Sequence, residues 1–209
     1  ASLPCTPWTS WQRVNLAKGD AEFREELQRS RERSLEFVKT FVSIARIILA
    51  GGGSVSYEWP RGCDGWQQPE VQRMITTLGL QAVDVDGCMA GVTDDEGTAI
   101  YKPWRIMVSS PHMAKALEGF VCQRMHEHRR CAGGGLVSKT AIYPEQLCRA
   151  IHQGLDLHEE HLRGQAQVPE HHLPPDVTMP ATKDEECRQI SAERRLRCLR
   201  AHVDAVPAY

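Results

Sequence analysis

The sequence predicts an α/β layered domain with a partly parallel sheet, on three observations. A long stretch near the N-terminus carries apolar residues at helical spacing. Three short runs rich in Val, Ile, Tyr and Trp follow it, each bounded by Gly, Pro or Asp. Segments with helix start and stop signals separate the first two runs and follow the third, so strand and helix alternate along the chain.

The elements follow in order. "SLPCTPWTSWQ" opens the chain with a short apolar run, read as the end of a strand, leading into a Pro4-Cys5 loop. Asp20 to Leu49 reads as one helix, because Leu35, Val38, Val42, Ala45 and Leu49 alternate steps of three and four. Phe41, Ile44 and Ile48 widen that stripe, so the second half is expected to be well buried; the charged "FREELQRSRERS" half is a solvated face. Gly51 to Gly53 stop the helix. "SVSYEWP" is a strand ending at Pro60, followed by a turn at "RGCDGW". Pro69 starts a helix that ends near Gly79, "QAVDVDGCMAGV" is a second strand, "DDEG" a turn, and "KPWRIMVSS" a third strand. A helix is expected over Pro111 to Cys122, then a Cys/His-rich irregular loop, the Gly133 to Gly135 run, and an amphipathic helix from Pro144 to Gly154. Residues 155–209 are rich in Pro, His and charge and read as a flexible tail, with a short basic helix over 192–203.

A net charge of −2 excludes a global basic field, so any contact with nucleic acid must come from a local patch. Lys102, Arg105, Arg124, Arg129 and Arg130 are the candidates for phosphate contact. The first residues lack the basic-then-apolar pattern of a signal peptide. The most apolar stretch contains Lys39 and Arg46 and is too short to span a bilayer. These readings predict a soluble intracellular protein without membrane contact, nuclear or cytoplasmic. The eight cysteines are expected to be reduced thiols, about half of them buried as small apolar residues.

Two groups carry chemistry. In an α/β sheet, ligands sit beyond the carboxyl ends of strands. Cys5 follows one predicted strand and Glu58 lies near the end of the next, so a strand–helix–strand unit delivers both to one edge. A thiolate beside a carboxyl group able to protonate a substrate is a working pair for covalent addition to an electron-poor ring. The structural alternatives are a buried cysteine in a turn and a glutamate serving as a cap or ion-pair partner. The second group is "CQRMHEHRRC", which offers Cys122, His126, His128 and Cys131 to a tetrahedral zinc ion; a polar loop with incidental cysteines is the alternative. Residues two apart point to opposite sides of a regular element, so one histidine could face solvent while Cys63 or Cys88 completes the site. Such a zinc would be structural.

The order of a Pro-Cys loop, a long helix, a strand ending in Glu-x-Pro and then further helix and strands resembles the latter half of a cytosine-5 DNA methyltransferase catalytic domain. "PCTPWTS", "EWP", "DGCMAG" and "KPW" are more similar still to divergent methyltransferase-like reading frames of algae and retroelements, over roughly Ser2 to Gly154. The resemblance implies a partial Rossmann-like layer, with Cys5 as nucleophile and Glu58 as proton donor. It also implies Pro4, Ser10, Gln12, Trp59 and Arg61 on the substrate side, nucleic acid as partner, and S-adenosylmethionine as methyl source. The family's cofactor-binding half precedes its Pro-Cys loop, so an upstream polypeptide is expected to complete the domain and the isolated chain to be inactive. Trp59 stands where the family has asparagine. The alternative function is a non-catalytic, zinc-stapled module that binds nucleic acid or protein.

The remaining motifs read as follows. Trp8, Trp11, Trp59, Trp66 and Trp104 are core or rim residues that could stack on a base. Asp84 and Asp86 share a strand face opposite the valines, read as an exposed face, with a metal-binding pair as the alternative. "HEEH" at His158 to His161 lacks zinc-protease spacing and reads as solvated.

Overall fold

The structure is a computed structural model that describes residues 1–166. It is mixed α/β. Helices α1 (Trp11–Lys18), α2 (Ala21–Ala50), α3 (Pro69–Thr77), α4 (Pro111–Leu117), α5 (Gly134–Lys139) and α6 (Glu145–Ala166) accompany strands β1 (Ser56–Pro60), β2 (Gln81–Asp86), β3 (Ile100–Tyr101), β4 (Pro103–Val108) and β5 (Arg129–Arg130).

Helix α2 begins where expected because the Asp20 carboxylate accepts the Phe23 N–H at 2.9 Å. It buries Leu27, Ser34, Val38 and Ala45, and Leu35, Phe41, Val42 and Leu49 pack beside them. The apolar stripe is narrower than the sequence implies. Ile44 and Ile48 remain 41% and 39% exposed, since one sheet face can cover only one side of a helix.

Strands β1, β4 and β2 form a sheet in that order, both flanking strands antiparallel to β4. The connection from β2 to β4 contains no helix, so the chain must return antiparallel. Parallel pairing occurs in the Ser2–Glu58 bridge beside β1 and between β3 and β5. Rows of the sheet set Glu58 beside Ile106 and Val83, and Trp59 beside Arg105 and Asp84.

Alternation along the strands divides the core. Tyr57, Trp59 and Met107 pack with Val38 and Ala45 of α2 and Val71 and Met74 of α3. Tyr57, Trp59 and Trp66 meet edge-on there, with ring centres 5.1–5.9 Å apart. Val83, Val85, Trp104, Ile106 and Val108 pack with Met113 and Leu117 of α4 and Leu147 and Ala150 of α6.

Gly154 does not end α6, which continues to Ala166. A Cβ at this glycine would lie 2.6 Å from Met113 Cα, so the residue serves close helix crossing rather than helix termination. Residues 155–166 of the expected tail are therefore helical; the remainder, including the basic helix over 192–203, lies outside the described residues. No helix among the described residues is long and apolar enough to cross a membrane.

Candidate functional site

Strand alternation sets the Glu58 side chain opposite those of Tyr57 and Trp59. It is 9% exposed, and its Oε2 accepts hydrogen bonds from the Ser2 hydroxyl at 2.8 Å and from the Tyr143 hydroxyl. Tyr143 meets Trp104 edge-on at 5.6 Å, and the Lys102 ammonium lies 5.6 Å from the centre of the same indole. Lys102 donates to the Thr140 carbonyl and, at 3.3 Å, to its hydroxyl.

Cys5 sits at the head of a 3-10 turn over Thr6–Trp8, its carbonyl receiving the Trp8 N–H at 2.9 Å. Burial, and then the charge of Glu58, push the Cys5 thiol up; its own backbone hydrogen bond and Lys102 oppose them. Burial draws Lys102 down against the pull of Cys131, Glu58 and Cys5. Burial followed by Glu58 also carries the Tyr143 phenol well above its usual value. The strand-end reading thus brings Cys5 and Glu58 into one electrostatic neighbourhood. The sequence reading missed Ser2 and Tyr143, and it placed Lys102 on a phosphate rather than inside this corner.

Of the other substrate-side residues, only Pro4 and Ser10 are exposed. Gln12 is buried; its amide donates to the Thr6 carbonyl at 3.0 Å and accepts from Asn15 at 3.1 Å. Trp59 is fully buried, and its indole donates to the Leu3 carbonyl at 2.9 Å. Both fasten the Pro-Cys loop and leave no surface for a ligand. Arg61 binds Asp86 at 2.9 Å, the Tyr101 hydroxyl at 2.5 Å and Asp84 at 3.6 Å. Asp84 also takes a two-pronged contact from Arg105, so these aspartates belong to an arginine network rather than a metal pair. Trp8, Trp66 and Trp104 are core residues, whereas Trp11 is 58% exposed.

The second group is real but differently composed. Cys88, Cys122, His126 and His128 present ligand atoms that all lie within 4.8 Å of one another, and they can hold a metal ion. His128 Nε2 is 3.3 Å from Cys88 Sγ and 3.4 Å from Cys122 Sγ, and His126 Nε2 is 3.9 Å from Cys122 Sγ. Around tetrahedral zinc, with Zn–S about 2.3 Å and Zn–N about 2.0–2.1 Å, sulfur and nitrogen stand about 3.5 Å apart. The apparent conflict between histidines two apart is removed because residues 121–128 form neither helix nor strand, so no regular alternation separates the two rings. The two rings come to 4.3 Å between centres.

Cys131 is not in this cluster. The pairing of β5 with β3 carries the chain away, and Cys131 Sγ lies 3.5 Å from the Thr140 hydroxyl, on the Lys102 side. Cys88 takes its place from the turn after β2. Its thiol is pushed up to about 11 by burial and by the neighbouring Cys122 sulfur. Asp86, 2% exposed, accepts the Cys122 N–H at 2.9 Å and so ties the cluster to the Arg61 network.

No protein-family model matches the chain, and searches of curated proteins and of solved structures find no match.

Proposed function

We propose that the chain is the substrate-side half of a cytosine-5 methyltransferase-like domain acting on nucleic acid, with Cys5 as nucleophile and Glu58 as proton donor. The observation that carries this reading is the meeting of Cys5 and Glu58 at one corner, where two hydroxyls orient the carboxyl group and Lys102 offsets its charge. The Cys5 sulfur would form a bond to a ring carbon, its own proton leaving to solvent. Glu58, in its acid form, would deliver a proton to the ring nitrogen. Pro4, Thr6, Ser10 and Trp11 are exposed along this loop and available to the base. The sheet order supports the reading, since a reversed strand between two parallel ones, with Ser2 parallel at the edge, suits the closing half of a Rossmann-like methyltransferase sheet.

The described residues hold no glycine-rich strand-to-helix loop. S-adenosylmethionine, which supplies the methyl group when bound, would in this reading be held by an upstream segment at the Ser2 edge. The test is transfer of tritiated methyl groups to DNA or RNA by the chain joined to its natural upstream sequence. Cys5→Ser is expected to lower transfer at least about 100-fold. Undiminished transfer by that variant would refute the nucleophile assignment.

A second reading, a zinc-stapled binding module, is favoured by the Cys88, Cys122, His126 and His128 cluster, in which protein would fill all four zinc positions. It predicts nucleic-acid binding that ignores Cys5→Ser, weakens steeply with salt and weakens on Arg124→Ala.

A further inference from the structure

Helix α6 carries a second set of histidines that neither the Cys5 corner nor the Cys/His cluster uses. Leu147, Ala150 and Gly154 lie at helical spacing on the side of α6 that meets the core and α4. Continued by four and then three residues, that stripe reaches the half-buried His158 and, at its solvent end, the exposed His161. "HEEH" is therefore not simply a solvated run. The close approach of Gly154 to Met113 brings the neighbouring His112, near the start of α4, against both. Its ring centre is 5.0 Å from that of His161 and 6.3 Å from that of His158.

Two details favour a ligand set over ordinary packing. His158 Nε2 is buried and has no hydrogen-bond partner, a state native proteins rarely leave uncorrected. With metal–nitrogen bonds of about 2.0–2.1 Å, two imidazoles on one tetrahedral ion stand with ring centres about 5 Å apart. The ring centres of His112 and His161 already stand at that separation, whereas the His158 ring, 6.3 Å from that of His112, must turn toward them to share an ion. His161 is exposed and free to turn; its Nε2 is 2.9 Å from the Gln165 amide, a contact that a metal would replace.

We propose that His112, His158 and His161 form a binding site for a divalent transition metal of the zinc class, distinct from the cysteine-containing cluster, that clips α4 to α6. Three neutral imidazoles suit zinc, nickel or copper and leave a coordination position for water or an outside ligand. The site bridges two elements remote in sequence, so bound metal stabilises the helix pair by mass action.

The test uses the full chain, stripped by chelator and dialysed against zinc in the range of about 10 µM, with bound metal counted by atomic spectroscopy. The parent is expected to hold one more zinc per chain than His112→Gln/His161→Gln, whose substituted side chains are not fully buried. Cys88→Ser/Cys122→Ser is expected to lose a different zinc, leaving the histidine site loaded. Imidazole NMR signals of His112, His158 and His161 should shift on zinc addition to the parent, which reads the site without any variant. The proposal is overturned if His112→Gln/His161→Gln retains as much zinc as the parent, or if those three signals stay fixed at saturating zinc.

Discussion

The crossing of α4 and α6 makes a prediction whose sign, not merely its size, is diagnostic. Replacing glycine by alanine inside an exposed helix gains about 0.8–1 kcal/mol, because alanine leaves less backbone freedom to lose. At Gly154 the added methyl would stand 2.6 Å from Met113 Cα, 3.2 Å from its Cβ and 3.3 Å from its N. Two of these are backbone atoms, which cannot rotate aside, so the helices must separate. Overpacking of this kind costs about 1–3 kcal/mol. Subtracting the propensity gain leaves Gly154→Ala anywhere from neutral to about 2 kcal/mol destabilised, a fall of up to roughly 8 °C in Tm for a chain of this size. Gly164, in the same helix with nothing within 4 Å, is the internal control. Gly164→Ala should gain up to about 1 kcal/mol, less if the final turn frays. Thermal melts followed by circular dichroism at 222 nm would compare the two. A rise in Tm for Gly154→Ala matching that for Gly164→Ala would refute the close crossing, and with it the approach of His112 to α6.

Two further predictions concern charge. Glu58→Gln removes the negative charge that, after burial, raises the Cys5 thiol, so iodoacetamide labelling of Cys5 at pH 8 should quicken; Lys102→Met should slow it. Peptide mapping by mass spectrometry reads both, and equal labelling in the two variants would break the proposed neighbourhood. Burial pushes the Asp84 carboxyl up, but the Arg105 hydrogen bonds and the charges of Arg105 and Arg61 outweigh it and hold the group below its usual range. Its contribution to stability is therefore full above the unfolded value of about 3.9 and is lost as pH falls through the folded value. Arg105→Met should raise the Asp84 midpoint in a carboxyl NMR titration; an unmoved midpoint would show that Arg105 is not its principal partner.

What could be read from sequence was what short-range physics controls. Helix α2 was legible because an apolar stripe and a glycine stop agree over one continuous stretch, and the Asp20 cap found in the structure fits the same start. The approach of Cys5 to Glu58 was legible because strand ends gather at a sheet edge. Tyr143 was not, since it reaches Glu58 across 85 residues and nothing in its own surroundings marks it. Cys131 was preferred to Cys88 because it is near the histidines in sequence, whereas strand pairing decides which thiol is near in space. Asp86 read as a surface residue by alternation, yet Arg61 and the Cys122 N–H supply the partners that allow its burial. Gly154 shows the same limit, because a stop signal and a close-contact signal use the same residue.

The order β1-β4-β2 also sets a timetable for folding. The middle strand is the last of the three to be synthesised, so β1 and β2 cannot complete their ladders until residues 103–108 exist. Apart from the single bridge from Ser2, β1 waits with unpaired backbone while the intervening segment is made, a matter of seconds at about 5–20 residues per second. Tyr57 and Trp59, fully buried in the finished protein, are without their sheet during that interval. The early presence of α2, complete before β1 emerges, gives those aromatics a surface to collapse on. Substitutions that loosen α2 should therefore show first as lost soluble yield during expression, before any change in the melting of the purified chain.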